Sequence, residues 1–204
     1  MTDLLTLQKS FILSHLREGD TCADFTMGNG HDTLFLSTTV GERGKVYAFD
    51  IQESALESTR ARLEAEGAPK NYALIKDSHS NLGLYIKEKI KAGMFNLGYL
   101  PGSGNKALTT MRETTIPAVM GAIDLLDAKS ILLIAIYPGH EEGEAEGKAL
   151  EEIFNKIDRH AISVMKVKII NSPTSPYFFV LENGKISIQE YKEKYGSIYE
   201  EEKI

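Results

Sequence analysis

Acids, glycines and a histidine crowd into one short stretch, Asp24-Phe25-Thr26-Met27-Gly28-Asn29-Gly30-His31-Asp32-Thr33. Glycines between a strand and a helix let the backbone turn sharply and let a ligand come close. A glycine pair is also common as simple turn geometry. The dinucleotide fingerprint would put a third glycine at position 33, where this chain has Thr33. Asp24 and Asp32 would repel a diphosphate at this helix start and attract a positively charged ligand. S-adenosylmethionine (SAM) has no phosphate and carries an ammonium and a sulfonium, so the charge pattern favours SAM over NAD.

Other chemistry-bearing residues fall at the ends of later apolar runs. Asp50 closes the next run, where an acid can accept hydrogen bonds from both ribose hydroxyls or begin a helix. Gln52 can reach the sugar or the adenine edge. In Asp77-Ser78-His79 an Asp or Ser can bond the adenine amino group and His79 can flank the ring, or the trio can cap a helix. Asn96-Leu97-Gly98-Tyr99-Leu100-Pro101-Gly102 ends a further run. There the Asn96 side chain, or the carbonyls of Gly98 to Leu100, can orient an amine lone pair; a packed strand end with a turn reads equally from the same letters. His31, His79 and His140 all follow the carboxyl ends of strands, the edge where open α/β sheets bind ligands. His15 and His160 lie on helix or turn positions.

These residues need a scaffold, and the chain alternates apolar runs with helical patterns throughout, the sign of an α/β fold with a mostly parallel sheet. Strands are predicted at Thr21–Phe25, Lys45–Asp50, Tyr72–Lys76, Met94–Leu100, Ile131–Tyr137, Ala161–Ile170 and Tyr177–Leu181. Helices are predicted from Leu4 to Leu16, from His31, and over Glu53–Glu66, Lys106–Asp127 and Glu141–Asp158. The Ile131–Tyr137 run is uniformly apolar, which places it centrally and buried on both faces. Asn183-Gly184 signals a hairpin, with Lys185–Ile188 pairing back. The domain reading is 1–189 for the main body and 190–204 for a charged tail.

The 204 residues suit one domain, and 42% hydrophobic content suffices for a core. No run is long enough to cross a bilayer and no signal-peptide pattern opens the chain. A single cysteine, Cys22, gives neither a disulfide framework nor a zinc cluster, and no metal is expected. A cytoplasmic location is the expectation. Net charge is −6, opposite to the usual balance of a polyanion binder. Any nucleic-acid partner must be held by a local basic patch.

The four blocks that begin at Asp24, Asp77 and Asn96 and end in Tyr137-Pro138-Gly139-His140 together resemble the bacterial YtqB/MnmM methyltransferases, over about residues 1–182. The resemblance implies a Rossmann-like class I methyltransferase: a seven-stranded, mostly parallel sheet of order 3-2-1-4-5-7-6, helices on both faces and the last strand antiparallel. It implies SAM as methyl donor. It implies as substrate the tRNA wobble uridine bearing a 5-aminomethyl group, often with a 2-thio group, so that the partner is the anticodon stem-loop. By the family pattern Asn29, Gly30 and Asp32 hold the methionine part, Asp50 and Gln52 the ribose region, and Ser78 and His79 the adenine, with Asp24 and Gly28 also counted among the cofactor-binding residues. Asn96, Tyr99 and His140 are assigned to the transfer step. An acid often precedes Lys106 in the family, and here that residue is Asn105.

Methyl transfer to an amine is an in-line displacement that needs a neutral nitrogen and alignment more than a strong base. Lys106, Arg112, Lys166 and Lys168 are the cations expected near the RNA. Tyr177 and Phe178 are candidates to stack a base, with one of the two expected in the core. The alternatives are a SAM-dependent enzyme acting on rRNA or a small molecule, an NAD-linked oxidoreductase, and a noncatalytic nucleotide-binding module. Oligomeric state is open between monomer and homodimer.

Overall fold

The computed structural model describes residues 3–98, 110–139, 141–172 and 174–199. Seven strands form one sheet: β1 (Thr21–Asp24), β2 (Lys45–Asp50), β3 (Tyr72–Lys76), β4 (Ile90–Leu97), β5 (Leu126–Ile136), β6 (Ile162–Val167) and β7 (Tyr177–Asn183). Their order is β3-β2-β1-β4-β5-β7-β6. All neighbours are parallel except β7, which runs antiparallel to both β5 and β6.

Among the described residues seven α-helices flank the sheet: α1 (Leu4–His15), α2 (His31–Val40), α3 (Glu53–Ala65), α4 (Leu82–Tyr85), α5 (Arg112–Asp124), α6 (Glu141–Phe154) and α7 (Ile188–Tyr195). Strand periodicity explains the layering, because successive side chains face opposite sides. Along β5, Ile131, Leu133 and Ala135 pack under α1 and α2 with Ile12, Leu36 and Val40. Leu132, Ile134 and Ile136 pack on the other face with Val119, Leu150 and Ile188 from α5, α6 and α7. Both sets are buried, as the apolar run of β5 predicts.

The chain leaves β1 for β2 and β3 on one side, then returns to β4 on β1's other flank. The connections diverge above the carboxyl ends of β1 and β4, and a crevice opens at such a reversal. The glycine loop and Asn96 both lie there.

The structure differs from the sequence reading in several places: β5 begins at Leu126, not Ile131, and α5 ends at Asp124, not Asp127. β4 begins at Ile90, not Met94, because Ile90 and Ala92 are fully buried in parallel pairing with β5 across a register shift. The turn signal Lys91-Ala92-Gly93 is overridden by that pairing. No hairpin forms at Asn183-Gly184: the Asn183 amide donates to the carbonyls of Asp127 and Ile186, at 2.6 and 2.9 Å, and the chain enters α7. Ser187 and Glu190 close a reciprocal capping box there. Past Glu190 the chain returns Tyr191 and Ile198 to the core at 8% and 1% exposure. A further difference is that Tyr177 and Phe178 are both buried, so neither is available to stack a base. Among the described residues no helix is long and apolar enough to cross a membrane.

Candidate active site at the β1–β4 crevice

The loop after β1 is held from below and from the side. Gly28 N–H donates to the Asp50 carboxylate at 3.1 Å, and Gly30 N–H donates to the Met27 carbonyl at 2.8 Å. Gly30 has φ +79°, and a Cβ there would come within 2.8 Å of the Thr59 backbone, so both conformation and space demand glycine. From α3, the Thr59 hydroxyl donates to the Gly28 carbonyl (3.0 Å), Ser58 to the Asn29 side chain (3.2 Å) and Arg62 Nε to the Asn29 carbonyl (2.7 Å). The sequence reading missed these three. Their only signal is a polar face at helical spacing on α3.

Asp24 is wholly buried. Its carboxylate accepts from Thr26 N–H at 3.1 Å and from the Thr33 hydroxyl at 2.6 Å. Thr33, which stands where a dinucleotide site has glycine, is therefore a partner of Asp24. With both oxygens engaged under the loop, Asp24 acts on the crevice through its field. Burial, followed by the nearby Asp32 charge, raises its carboxyl to about 7. Asp32, in the first turn of α2, is raised by burial too. Asp50 is also raised, chiefly by burial, and its second oxygen accepts from Gln52 N–H at 3.0 Å. The Gln52 side chain makes no capping bond.

Asn96 joins the two strands' ends. Its N–H donates to the Thr26 hydroxyl at 2.7 Å, and its side-chain NH2 donates to Asp32 at 2.6 Å. The carboxylate fixes which end of the amide faces it. The other end, Oδ1, is buried with no partner among the described residues. Tyr137, just past β5, is half-buried, and its hydroxyl is pushed up by burial and then by the Asp32 charge. It lies beside Gly98 and was not among the residues singled out in the sequence as site members.

Ser78 caps a single 3-10 turn by accepting from Ser80 N–H. Asp77 is consumed locally, accepting from Ser78 N–H, Asn81 and Tyr85. His79 is buried, shares a hydrogen through Nδ1 with the Phe25 carbonyl at 3.1 Å, and packs edge-on to Phe95. Since a carbonyl only accepts, Nδ1 carries the proton, and Nε2 is an acceptor without a partner among the described residues. His31 is instead exposed at the crevice rim. Tyr99, Leu100, Lys106 and His140 lie outside the described residues.

One further carboxylate emerges only from the structure. Glu146 of α6 is fully buried and accepts from the hydroxyls of Thr110 (2.8 Å) and Thr115 (2.6 Å). Thr110 N–H in turn donates to the Gly98 carbonyl at 3.1 Å. Of the cations expected near RNA, Arg112 is paired with Glu142 and Lys166 with Glu151, at 3.1 and 2.6 Å.

Strand order, antiparallel β7 and a crevice built on a β1 glycine loop define the fold of a class I, Rossmann-like methyltransferase. The model of the family described as "Putative rRNA methylase" matches residues 46–183, and the chain belongs to that family. It is 34% identical over 82% of its length to the chloroplastic tRNA (mnm(5)s(2)U34)-methyltransferase of Arabidopsis thaliana, and spans 66% of that relative. Among solved structures it resembles one described as a "putative rRNA-methylase" from Clostridium thermocellum, with TM-score 0.86, 38% identity and coverage of 90% of this chain and 98% of that one. It also resembles one described as "a putative methyltransferase" from Streptococcus mutans in complex with SAH, with TM-score 0.81, 34% identity and coverage of 90% and 99%.

Proposed function

We propose that this chain is a SAM-dependent N-methyltransferase that converts 5-aminomethyluridine, with or without a 2-thio group, at the tRNA wobble position to 5-methylaminomethyluridine. The partner is the anticodon stem-loop, met by a monomer or homodimer in the cytoplasm. The observation that carries the reading is the Asn96 amide: clamped by Asp32 and Thr26, it leaves Oδ1 as a buried acceptor with no donor among the described residues. A buried orphan acceptor costs free energy unless a ligand donor meets it. An amine N–H is such a donor. The likeness to a relative named for the mnm5s2U34 position supports the substrate class.

The residues present fit SAM. Asp24, Asp32 and Asp50 give the crevice the negative charge that an ammonium and a sulfonium favour, and Asp50 retains acceptor capacity for ribose hydroxyls. Asn29, Gly30 and Asp32 would hold the methionine part, Asp50 and Gln52 the ribose, and Ser78 and His79 the adenine. When bound, SAM supplies a methyl group already activated on sulfur. The protein's part is alignment: Asn96 Oδ1 accepts one amine hydrogen and turns the nitrogen lone pair outward. Desolvation in the crevice favours the neutral amine; an ionised Asp32 would oppose it, and the raised Asp32 carboxyl weakens that opposition. Tyr99 and His140 complete the assignment; His140 or water takes the proton after transfer.

Purified protein should methylate a stem-loop bearing 5-aminomethyluridine and leave unmodified RNA untouched. Cells lacking the protein should accumulate the aminomethyl nucleoside. Equal transfer to the unmodified stem-loop, or to none, would refute the substrate. Asn96→Ala should cut kcat by about 10²-fold, the scale of a misaligned reacting group, with SAM affinity changing far less. Equal losses in both would assign Asn96 to the cofactor instead.

A further inference from the structure

A protein of net charge −6 that handles RNA must concentrate positive charge locally, and the structure narrows where. Arg112 and Lys166 spend their charge on Glu142 and Glu151. At the crevice mouth, by contrast, two cations flank the first turn of α2 from neighbouring helices and form no ion pair among the described residues. Arg62 of α3 bonds the Asn29 carbonyl through Nε and approaches His31 Nε2 at 3.1 Å through Nη2. A guanidinium only donates, so the imidazole accepts and is neutral. Burial, followed by the Arg62 charge, lowers the His31 pKa, in keeping with that neutral ring. Arg62 thus keeps its full charge while being held rigidly.

Lys9 of α1 is the second cation. Its ammonium lies 5.2 Å from the centre of the Phe35 ring, and Phe35 is one helical turn beyond His31 on α2. It is close enough to both Asp32 and His31 to act on their ionisation. Lys9 and Arg62 therefore both lie beside the exposed His31 at the rim, while the acids lie deeper in the crevice. This segregation suits a substrate with a cationic amine-bearing group at its reacting end and anionic groups around it.

We propose that Lys9, His31 and Arg62 form a phosphate-binding rim that grips the RNA backbone next to the nucleoside entering the crevice. The proposal rests on the RNA-methyltransferase reading above. Lys9 and Arg62 each neutralise a phosphate, and His31 donates through Nδ1–H. The same cations facing the carboxylate of SAM is the competing source of an anion, and it has a separate signature.

The test uses the full chain, SAM and an anticodon stem-loop RNA bearing 5-aminomethyluridine. Binding is followed by fluorescence anisotropy across a salt series, and SAM binding by calorimetry. Lys9→Ala and Arg62→Gln should each weaken RNA binding by about 3–10-fold and lower the slope of log affinity against log salt by about one. SAM affinity should stay within about twofold in Lys9→Ala; Arg62→Gln also removes the Nε bond to the Asn29 carbonyl, so it should weaken SAM as well, and Lys9→Ala separates the two ligands. Arg62→Lys keeps the charge but loses the fork, so it should restore most of the salt slope; a purely structural Arg62 would not be rescued. RNA affinity and slope unchanged in both Lys9→Ala and Arg62→Gln, with wild-type protein still methylating the RNA, overturns the rim and spares the activity. In Lys9→Ala, which makes no bond to the glycine loop, loss of SAM affinity matching the RNA loss also overturns it, in favour of the cofactor carboxylate. Wild-type protein that neither binds nor methylates the RNA overturns the activity and the rim together.

Discussion

Burying Asp24 beside Asp32 and Asp50 makes the crevice a titratable object. Its carboxyl is raised to about 7 by burial first and by Asp32 next, while Thr33 and Thr26 hold it in place. A raised carboxyl stabilises the fold most below the ordinary carboxylate range. That contribution declines as pH climbs and is lost once pH passes about 7. A cationic ligand prefers the ionised form, so binding between pH 5.5 and 7 should expel a proton and tighten as pH rises. Calorimetry of SAM binding in two buffers of different ionisation heat should detect that proton at pH 5.5. Asp24→Asn should abolish the release and flatten the pH dependence of both unfolding and binding. Proton uptake, or none, in the wild type would show that the Asp24 field does not reach the ligand.

The elements around the crevice are tied by single side chains that cross between them. α3 reaches the glycine loop through Ser58, Thr59 and Arg62, and α6 reaches the start of α5 through Glu146. Glu146 takes two hydroxyl donors while fully buried, and its carboxyl is raised by that burial. Glu146→Ala should cost about 1–3 kcal/mol in urea unfolding, the scale for stranding buried polar partners. Glu146→Gln, which keeps one carbonyl acceptor and the shape, should cost less. An alanine variant as stable as wild type would mean that water replaces the carboxylate without loss. None of this was legible in the sequence, where Glu146 is one acid among several on a charged helix. The glycine loop, by contrast, was legible, because a strand, two glycines and a helix start carry their geometry locally.

Across the whole molecule, the segment beyond β7 completes the core. Ile188 is 0% exposed and Ile198 is 1% exposed, and both pack with the β4–β5 face. Ile188→Ala should therefore destabilise the protein by about 2–5 kcal/mol in denaturant unfolding. A loss below about 1 kcal/mol would show that the end of the chain packs without contributing. The charged letters from Glu190 onward hid this, because the buried residues there are sparse and spaced for one helix face.

Taken alone, the sequence determined the strands, the glycine turn, the acids at strand ends and hence the family of fold, because each is written in residues adjacent along the chain. Only the tertiary structure decided that Asn96 is clamped by Asp32 across 64 positions, that Thr33 partners Asp24, and that Lys9 and Arg62 meet at one rim. It also decided that Tyr177 and Phe178 both belong to the core and that Asn183-Gly184 leads to a helix. The physical reason is that hydrogen bonds and charges act through space. Local propensity can propose a hairpin or an exposed ring, but burial against elements distant in the chain settles the outcome.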